Sequence, residues 1–189
     1  MTNRRLRRVA TVLPLALAIS LPAAAAAPGA AFAAPGACAA ANVSPADAGP
    51  GQLEHTVLCL VNRERTTRGL PGLRANDKLE RAARGHSRHM VRANFFAHDS
   101  PSGASVLTRV KRRGYRSSKG LFVGENIAWG SGSYATPSEI VAGWMRSPGH
   151  RQNILRREFD EIGVGVAIGA PRAVNGMPAA TYTTDFGRR

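Results

Sequence analysis

Apolar residues recur at helical spacing as far as Leu155, and from Ile162 onward they recur at every second position. This change of period constrains the chain more than any other feature. Leu53, Val57, Leu60, Val61 and Glu64 share one helical stripe that begins near Gln52, with Gly69 placed as its stop and Pro71 as a break. Asn76 or Asp77 is set to cap a second helix, which carries Leu79, Ala82, Ala83, His86 and Met90 inward and ends near Asn94. Ser105 to Arg113 reads as a shorter helix closed by Gly114. In Thr136-Pro137-Ser138-Glu139 the threonine is an N-cap, the proline the first helical residue and the glutamate the third, a strong start signal. The helix it opens turns Ile140, Val141, Trp144 and Met145 inward, and Ser147-Pro148 restarts a short helical turn through Leu155. Then Ile162, Val164, Val166 and Ile168 alternate with small residues, as do Tyr182, Thr184 and Phe186, with Asn175-Gly176 between them as a hairpin turn. Helices followed by an antiparallel hairpin make an α+β domain.

The first residues read as an export signal. Arg4, Arg5, Arg7 and Arg8 precede an apolar run from Val9 to Ala27, and Ala31-Phe32-Ala33 is a small-x-small cleavage site. Pro14, Pro22 and Pro28 interrupt the run and no basic stop-transfer cluster follows it, which argues against a retained membrane anchor. The paired arginines leave both the general and the twin-Arg export routes open. The expected organisation is a signal peptide at 1–33, an Ala/Gly/Pro-rich tail clipped to the domain at 34–51, and the domain itself at 52–189, acting extracellularly.

An oxidising compartment decides the two cysteines. Cys38 and Cys59 both follow the expected cut, and an isolated pair there is expected to join. The alternative is a lipid on Cys38 at a new N-terminus, but Pro35-Gly36-Ala37 lacks the usual upstream leucine. Removing the four arginines of residues 1–33 leaves 22 basic against 12 acidic residues, a net charge of +10. That excess suits anionic wall polymers or lipid head groups. Nucleic acid is not expected, because the arginines are dispersed, few aromatics lie among them and no recognised motif is present.

Among the five histidines, His55 lies off the main apolar stripe. His86 and His89 stand three apart on a helix with no local third ligand and no HExxH, so a packing or surface role is expected of them. His98 follows Phe95-Phe96-Ala97 on a loop, and His150 follows Ser147-Pro148-Gly149. Between them Gly124-Glu125-Asn126 places a carboxylate beside residues that require burial, where it needs a cation or donors. His98, Glu125 and His150 are therefore expected to converge from loops on one hollow, either as a buried hydrogen-bond network that ties loops to the sheet or as a metal, ligand or catalytic site.

Leu60-Val61-Asn62-Arg63-Glu64-Arg65, His86-Ser87, Phe95-Phe96-Ala97-His98, Gly124-Glu125-Asn126-Ile127-Ala128-Trp129 and Gly149-His150-Arg151-Gln152-Asn153-Ile154-Leu155 occur in that order. Together with Glu161-Ile162-Gly163-Val164-Gly165 and Tyr182-Thr183-Thr184-Asp185-Phe186-Gly187, they resemble the bacterial secreted branch of the CAP superfamily: cysteine-rich secretory proteins, antigen 5 and pathogenesis-related-1 proteins. The resemblance implies a three-layer α-β-α sandwich with a small antiparallel sheet and a cleft of two histidines and two acids. His98, Glu125 and His150 match three of the four, whereas Ser147 stands where the second glutamate falls. It also implies, from relatives that bind a divalent metal, zinc held by His98 and His150.

With one carboxylate missing, the reading leans away from an enzyme and towards an extracellular binding module for a metal or a small hydrophobic ligand. The alternatives are a metal-assisted hydrolase acting on peptides or cell wall, with Glu125 as base, and a wall-associated structural or adhesive protein. There is no Gly-x-Ser-x-Gly elbow, and a cysteine bridge removes any thiol nucleophile.

Overall fold

The computed structural model describes residues 38–189. The signal peptide and cleavage site expected at 1–33, and Pro35-Gly36-Ala37, lie outside the described residues. Ten elements follow in order: α1 (Pro50–Thr66), β1 (Arg74–Ala75), α2 (Asp77–Arg92), α3 (Val106–Arg112), β2 (Phe122–Ser131), a 3-10 turn (Gly132–Ala135), α4 (Pro137–Arg146), α5 (Pro148–Leu155), β3 (Glu161–Ile168) and β4 (Ala179–Arg188). The caps read from the sequence form. Asn76 accepts from the amides of Lys78 and Leu79, Ser105 from that of Thr108 and Thr136 from that of Glu139. In the loop from β3 to β4, Asn175 and Gly176 both take positive φ, 49° and 75°, the backbone that Asn-Gly turns favour.

The strands form one sheet in the order β1-β3-β4-β2. β2 and β3 both run antiparallel to β4, but β1 pairs parallel with β3, so the sheet is mixed rather than wholly antiparallel. Two residues long, β1 carries no period for a sequence reading to detect. α1, α4 and α5 cover one face and α2 with α3 the other, giving the three-layer α-β-α sandwich. Because helices lie on both faces, β3 and β4 are buried on both sides. Ile162, Val164, Val166, Tyr182 and Phe186 pack with Leu53, Val57, Leu60, Trp144 and Ile154 in the larger core. The opposite face of β3 is held by glycines because α2 lies directly on it. A Cβ at Gly163 would sit 2.0 Å from the Glu80 nitrogen, and one at Gly165 2.0 Å from that of Arg84.

Three polar side chains lock this scaffold. The last inward position of α1 is Arg65 rather than Glu64: fully buried, it donates to the carbonyls of Pro71, Ile154, Arg156 and Phe159. Those carbonyls stand in for a carboxylate around the charge, two of them lying at the C-terminal end of α5. Glu54 accepts from the amide of Val166 at 3.0 Å and is paired with Arg84, which blunts the edge of β3 beyond the short β1. Cys38 and Cys59 form a disulfide with Cα atoms 5.7 Å apart. The segment before α1 is more than a linker: Cys38, Ala41 and Val43 pack against the main core, and the Ala41 carbonyl accepts from the amide of Ser138 at 2.8 Å.

Candidate functional site

Glu125 lies on β2, not on a loop, and its carboxylate is 2 % exposed. Strand alternation sends it to the α2 side of the sheet. There its Oε1 lies 2.8 Å from Nδ1 of His98, Nη2 of Arg109 on α3 donates to its Oε2, and Nε2 of buried His86 stands 4.0 Å from the same oxygen. Arg109 is itself oriented by donating Nη1 to the carbonyls of His98 and Ala104. One buried carboxylate therefore ties the loop after α2, α3 and β2 together.

Burial pushes the Glu125 carboxyl up, but the His98 hydrogen bond and the Arg109 charge outweigh it and hold the group below its usual range. The same hydrogen bond raises the His98 imidazole against the opposing effect of its partial burial. Burial lowers His86, which is therefore neutral at neutral pH.

Directly across the strand pair from Glu125 stands Asp185 of β4. It is fully buried, and neither carboxyl oxygen has a hydrogen-bond partner among the described residues. Burial first and the Glu125 charge second raise its pKa well above the usual carboxylate value. Two facing carboxylates would repel if both ionised. Here the environment separates them: the cations beside Glu125 favour its charged form, while burial shifts Asp185 towards its protonated form. The second acid of this region thus comes from β4, but it lies beneath the surface where no substrate reaches it.

His150 is on α5 rather than a loop, and it does not touch Glu125. Its carbonyl accepts from Nδ2 of Asn126, the neighbour of Glu125 whose side chain points to the opposite face of the sheet. Burial lowers His150, and the His98 charge lowers it further, so the two imidazoles feel each other across the edge strand. His150 and Ser147 line an open cleft of about 380 Å³ with Phe96, Trp129, Tyr134 and Trp144. A polar network centred on Glu125 thus lies beside an aromatic cleft edged by Ser147 and His150.

A zinc ion is tested by the donor set. Nδ1 of His98 faces Glu125, the arrangement that orients a metal-binding imidazole through its other nitrogen. However, no group of three His, Cys, Asp or Glu side chains able to hold a metal occurs among the described residues, and both Glu125 oxygens are engaged. Two imidazoles fall short of the three protein ligands of a catalytic zinc. The residues do not fit such a centre, and no step is derived through one.

Sequence reasoning missed Arg109, His86 as a site residue, and Asp185. An aspartate inside the alternating run Tyr182–Phe186 was the available signal, because a carboxylate in a doubly buried strand requires a special environment.

Comparison with known proteins gives the lineage. The model of the Cysteine-rich secretory protein (CAP) family matches residues 58–183. The chain belongs to the CAP family. Among CAP relatives, uncharacterized protein YkwD of Bacillus subtilis is 41 % identical over 114 residues, covering 59 % of this chain and 41 % of that protein. The uncharacterized membrane protein YlbC of the same organism is 33 % identical over 113 residues, covering 60 % of this chain and 31 % of that one. The chain therefore spans less than half the length of these relatives. An extracellular Bacillus anthracis protein containing an SCP domain has a crystal structure that superposes with a TM-score of 0.58 at 28 % identity, covering 75 % of this chain and 44 % of that one. An outer surface protein of Borrelia burgdorferi shares the CAP fold with a TM-score of 0.57 at 19 % identity, covering 70 % of this chain and 90 % of that one.

Proposed function

We propose that this CAP domain is an exported binding module whose ligand is a small, largely apolar molecule held in the cleft between α4, α5 and β2. One observation carries the reading: both oxygens of Glu125 are engaged at 2 % exposure, while an aromatic-walled cleft lies open beside it. A carboxylate held by an imidazole and a guanidinium is a poor general base, which weighs against the hydrolase reading. The network instead braces the loop that carries Phe96 and His98 against β2.

An apolar pocket with a few polar groups at its rim is the usual form of a small-molecule site. Phe96, Trp129 and Trp144 would hold the apolar body, and Ser147 and His150 a polar head. Action outside the cytoplasm is supported by the basic, apolar and small-x-small order of residues 1–33 and by the cysteine pair. No described helix is long and apolar enough to cross a membrane.

The chain's two tryptophans both line the cleft, so intrinsic fluorescence reports its occupancy. Titration with a medium-chain fatty acid and with a sterol is expected to give saturable quenching by at least one of them. Gly143 also lines the cleft, and a Cβ there meets only Nη2 of Arg146, at 3.9 Å, so Gly143→Leu is expected to plug the site without disturbing the fold. Superimposable titrations of the parent and Gly143→Leu would discard the cleft.

A further inference from the structure

Between α2, the turn at 99–104 and α3, a second hollow of about 430 Å³ opens, sharing no lining residue with the aromatic cleft. Its size lies within the ~300–1,000 Å³ typical of small-molecule sites. Arg92, Arg112 and Arg113 all line it, and none has an ion-pair partner among the described residues. Among the described residues no carboxylate lines it. The Arg113 guanidinium reaches across from the end of α3 to α2, where a Cβ on Gly85 would stand 3.3 Å from Nη2. Three cations drawn around one concavity repel one another, an arrangement relieved by an anion.

The inner wall adds unused polar groups. Nε of Arg109 is buried without a partner, although the rest of that guanidinium is engaged. His86 directs Nε2 at the Ala97 carbonyl, 3.0 Å away, which leaves Nδ1 of the neutral ring as a buried acceptor with no partner. The hydroxyl of buried Ser100 makes no hydrogen bond among the described residues. Guanidinium donors suit phosphate oxygens, while an imidazole acceptor and a serine suit a hydroxyl or the water it displaces. Besides these groups the lining carries only alanine and glycine as apolar residues, so nothing there enters a bilayer.

We infer that the hollow between α2 and α3 binds a phosphorylated polyol or sugar unit, the phosphate on Arg92, Arg112 and Arg113 and a hydroxyl towards His86 and Ser100. The inference stands on this hollow alone and is independent of what occupies the aromatic cleft. The unit has two sources, a free small molecule or the repeating unit of a polyol-phosphate polymer.

Calorimetric titration of the full chain at about 0.15 M salt, where bulk charge is screened beyond ~8 Å, tests it with glycerol 3-phosphate, inorganic phosphate and poly(glycerol phosphate). Glycerol 3-phosphate is expected to bind saturably and more tightly than inorganic phosphate. If only the polymer binds, the site is assigned to the repeating unit. Arg112→Glu/Arg113→Glu is expected to weaken binding at least about tenfold, the scale of losing charge-assisted hydrogen bonds. Arg157→Glu/Arg172→Glu changes the net charge equally on exposed residues outside the hollow and is expected to alter affinity less than about twofold. Should the first variant fail to fold, Arg112→Gln/Arg113→Gln carries the same expectation. Equal losses in both doubles, no binding by the parent, or binding only to phosphatidylglycerol vesicles would overturn the inference.

Discussion

Replacing Glu125 with glutamine probes the polar network at its centre. The side chain is 2 % exposed and its partner Arg109 10 %, so the substitution leaves a guanidinium with little water in which to dissipate its charge. Removing one partner of a buried ion pair costs about 3–5 kcal/mol. At roughly 2–4 °C per kcal/mol for a chain of this size, the melting temperature should fall by about 10 °C. The glutamine oxygen still accepts one hydrogen bond, which places the expectation at the lower end, near 3 kcal/mol. If the loss arises from the stranded guanidinium, Arg109→Met should relieve part of it. The double variant should then be at least about 1.5 kcal/mol more stable than the sum of the single losses implies.

The pH profile adds a signature that a simple packing defect lacks. Glu125 titrates below its usual range in the fold, so its contribution is present above about pH 4.3 and is lost as pH falls through the lowered value. His98 is raised, so its contribution is full below about pH 6.5 and is lost as pH rises through the raised value. Both are complete only between about pH 4.5 and 6.5, where the gap between parent and Glu125→Gln should be widest. Above that window the Arg109 pair keeps most of the gap open, with the half-exposed His98 contributing modestly. Urea denaturation from pH 3 to 9 measures it. A loss below about 1 kcal/mol, or a gap that does not vary with pH, would refute the reasoning.

Three further outcomes are expected. Asp185→Asn should cost less than about 1.5 kcal/mol, because burial already favours the uncharged form of the acid and the amide keeps its shape. It should also remove the decline in stability that a raised carboxyl imposes as pH climbs above about 3.9, and urea midpoints at pH 4 and pH 8 that keep the parental difference would contradict the proton on Asp185. Gly163→Ala drives a methyl to 2.0 Å from the α2 backbone and should cost at least about 3 kcal/mol or prevent folding, read by circular dichroism melting. Cys38→Ser/Cys59→Ser releases a loop with a sequence separation of 21 and should cost about 3 kcal/mol, checked by comparing urea midpoints with those of the oxidised parent.

What the chain wrote locally was legible. Asn76, Ser105 and Thr136 announce their helices because a cap and the amides it satisfies lie within three residues of each other. Asn175-Gly176 announces its turn for the same reason. His98 and Glu125 were legible as chemistry out of place, a loop imidazole and a carboxylate among residues that require burial, although their pairing spans 27 residues. Tertiary packing alone decided the rest. No local pattern marks a two-residue strand, and none says that α2 will lie close enough on β3 to exclude a Cβ from Gly163. Arg109 and Asp185 meet Glu125 only because α3 docks at the edge of the sheet and β4 pairs with β2 in one register. A one-residue slip would turn Asp185 to the other face. Periodicity tells which side of a segment is buried, but the partner of a buried charge is chosen when distant elements pack, and that choice lowers the pKa of Glu125 and raises that of Asp185.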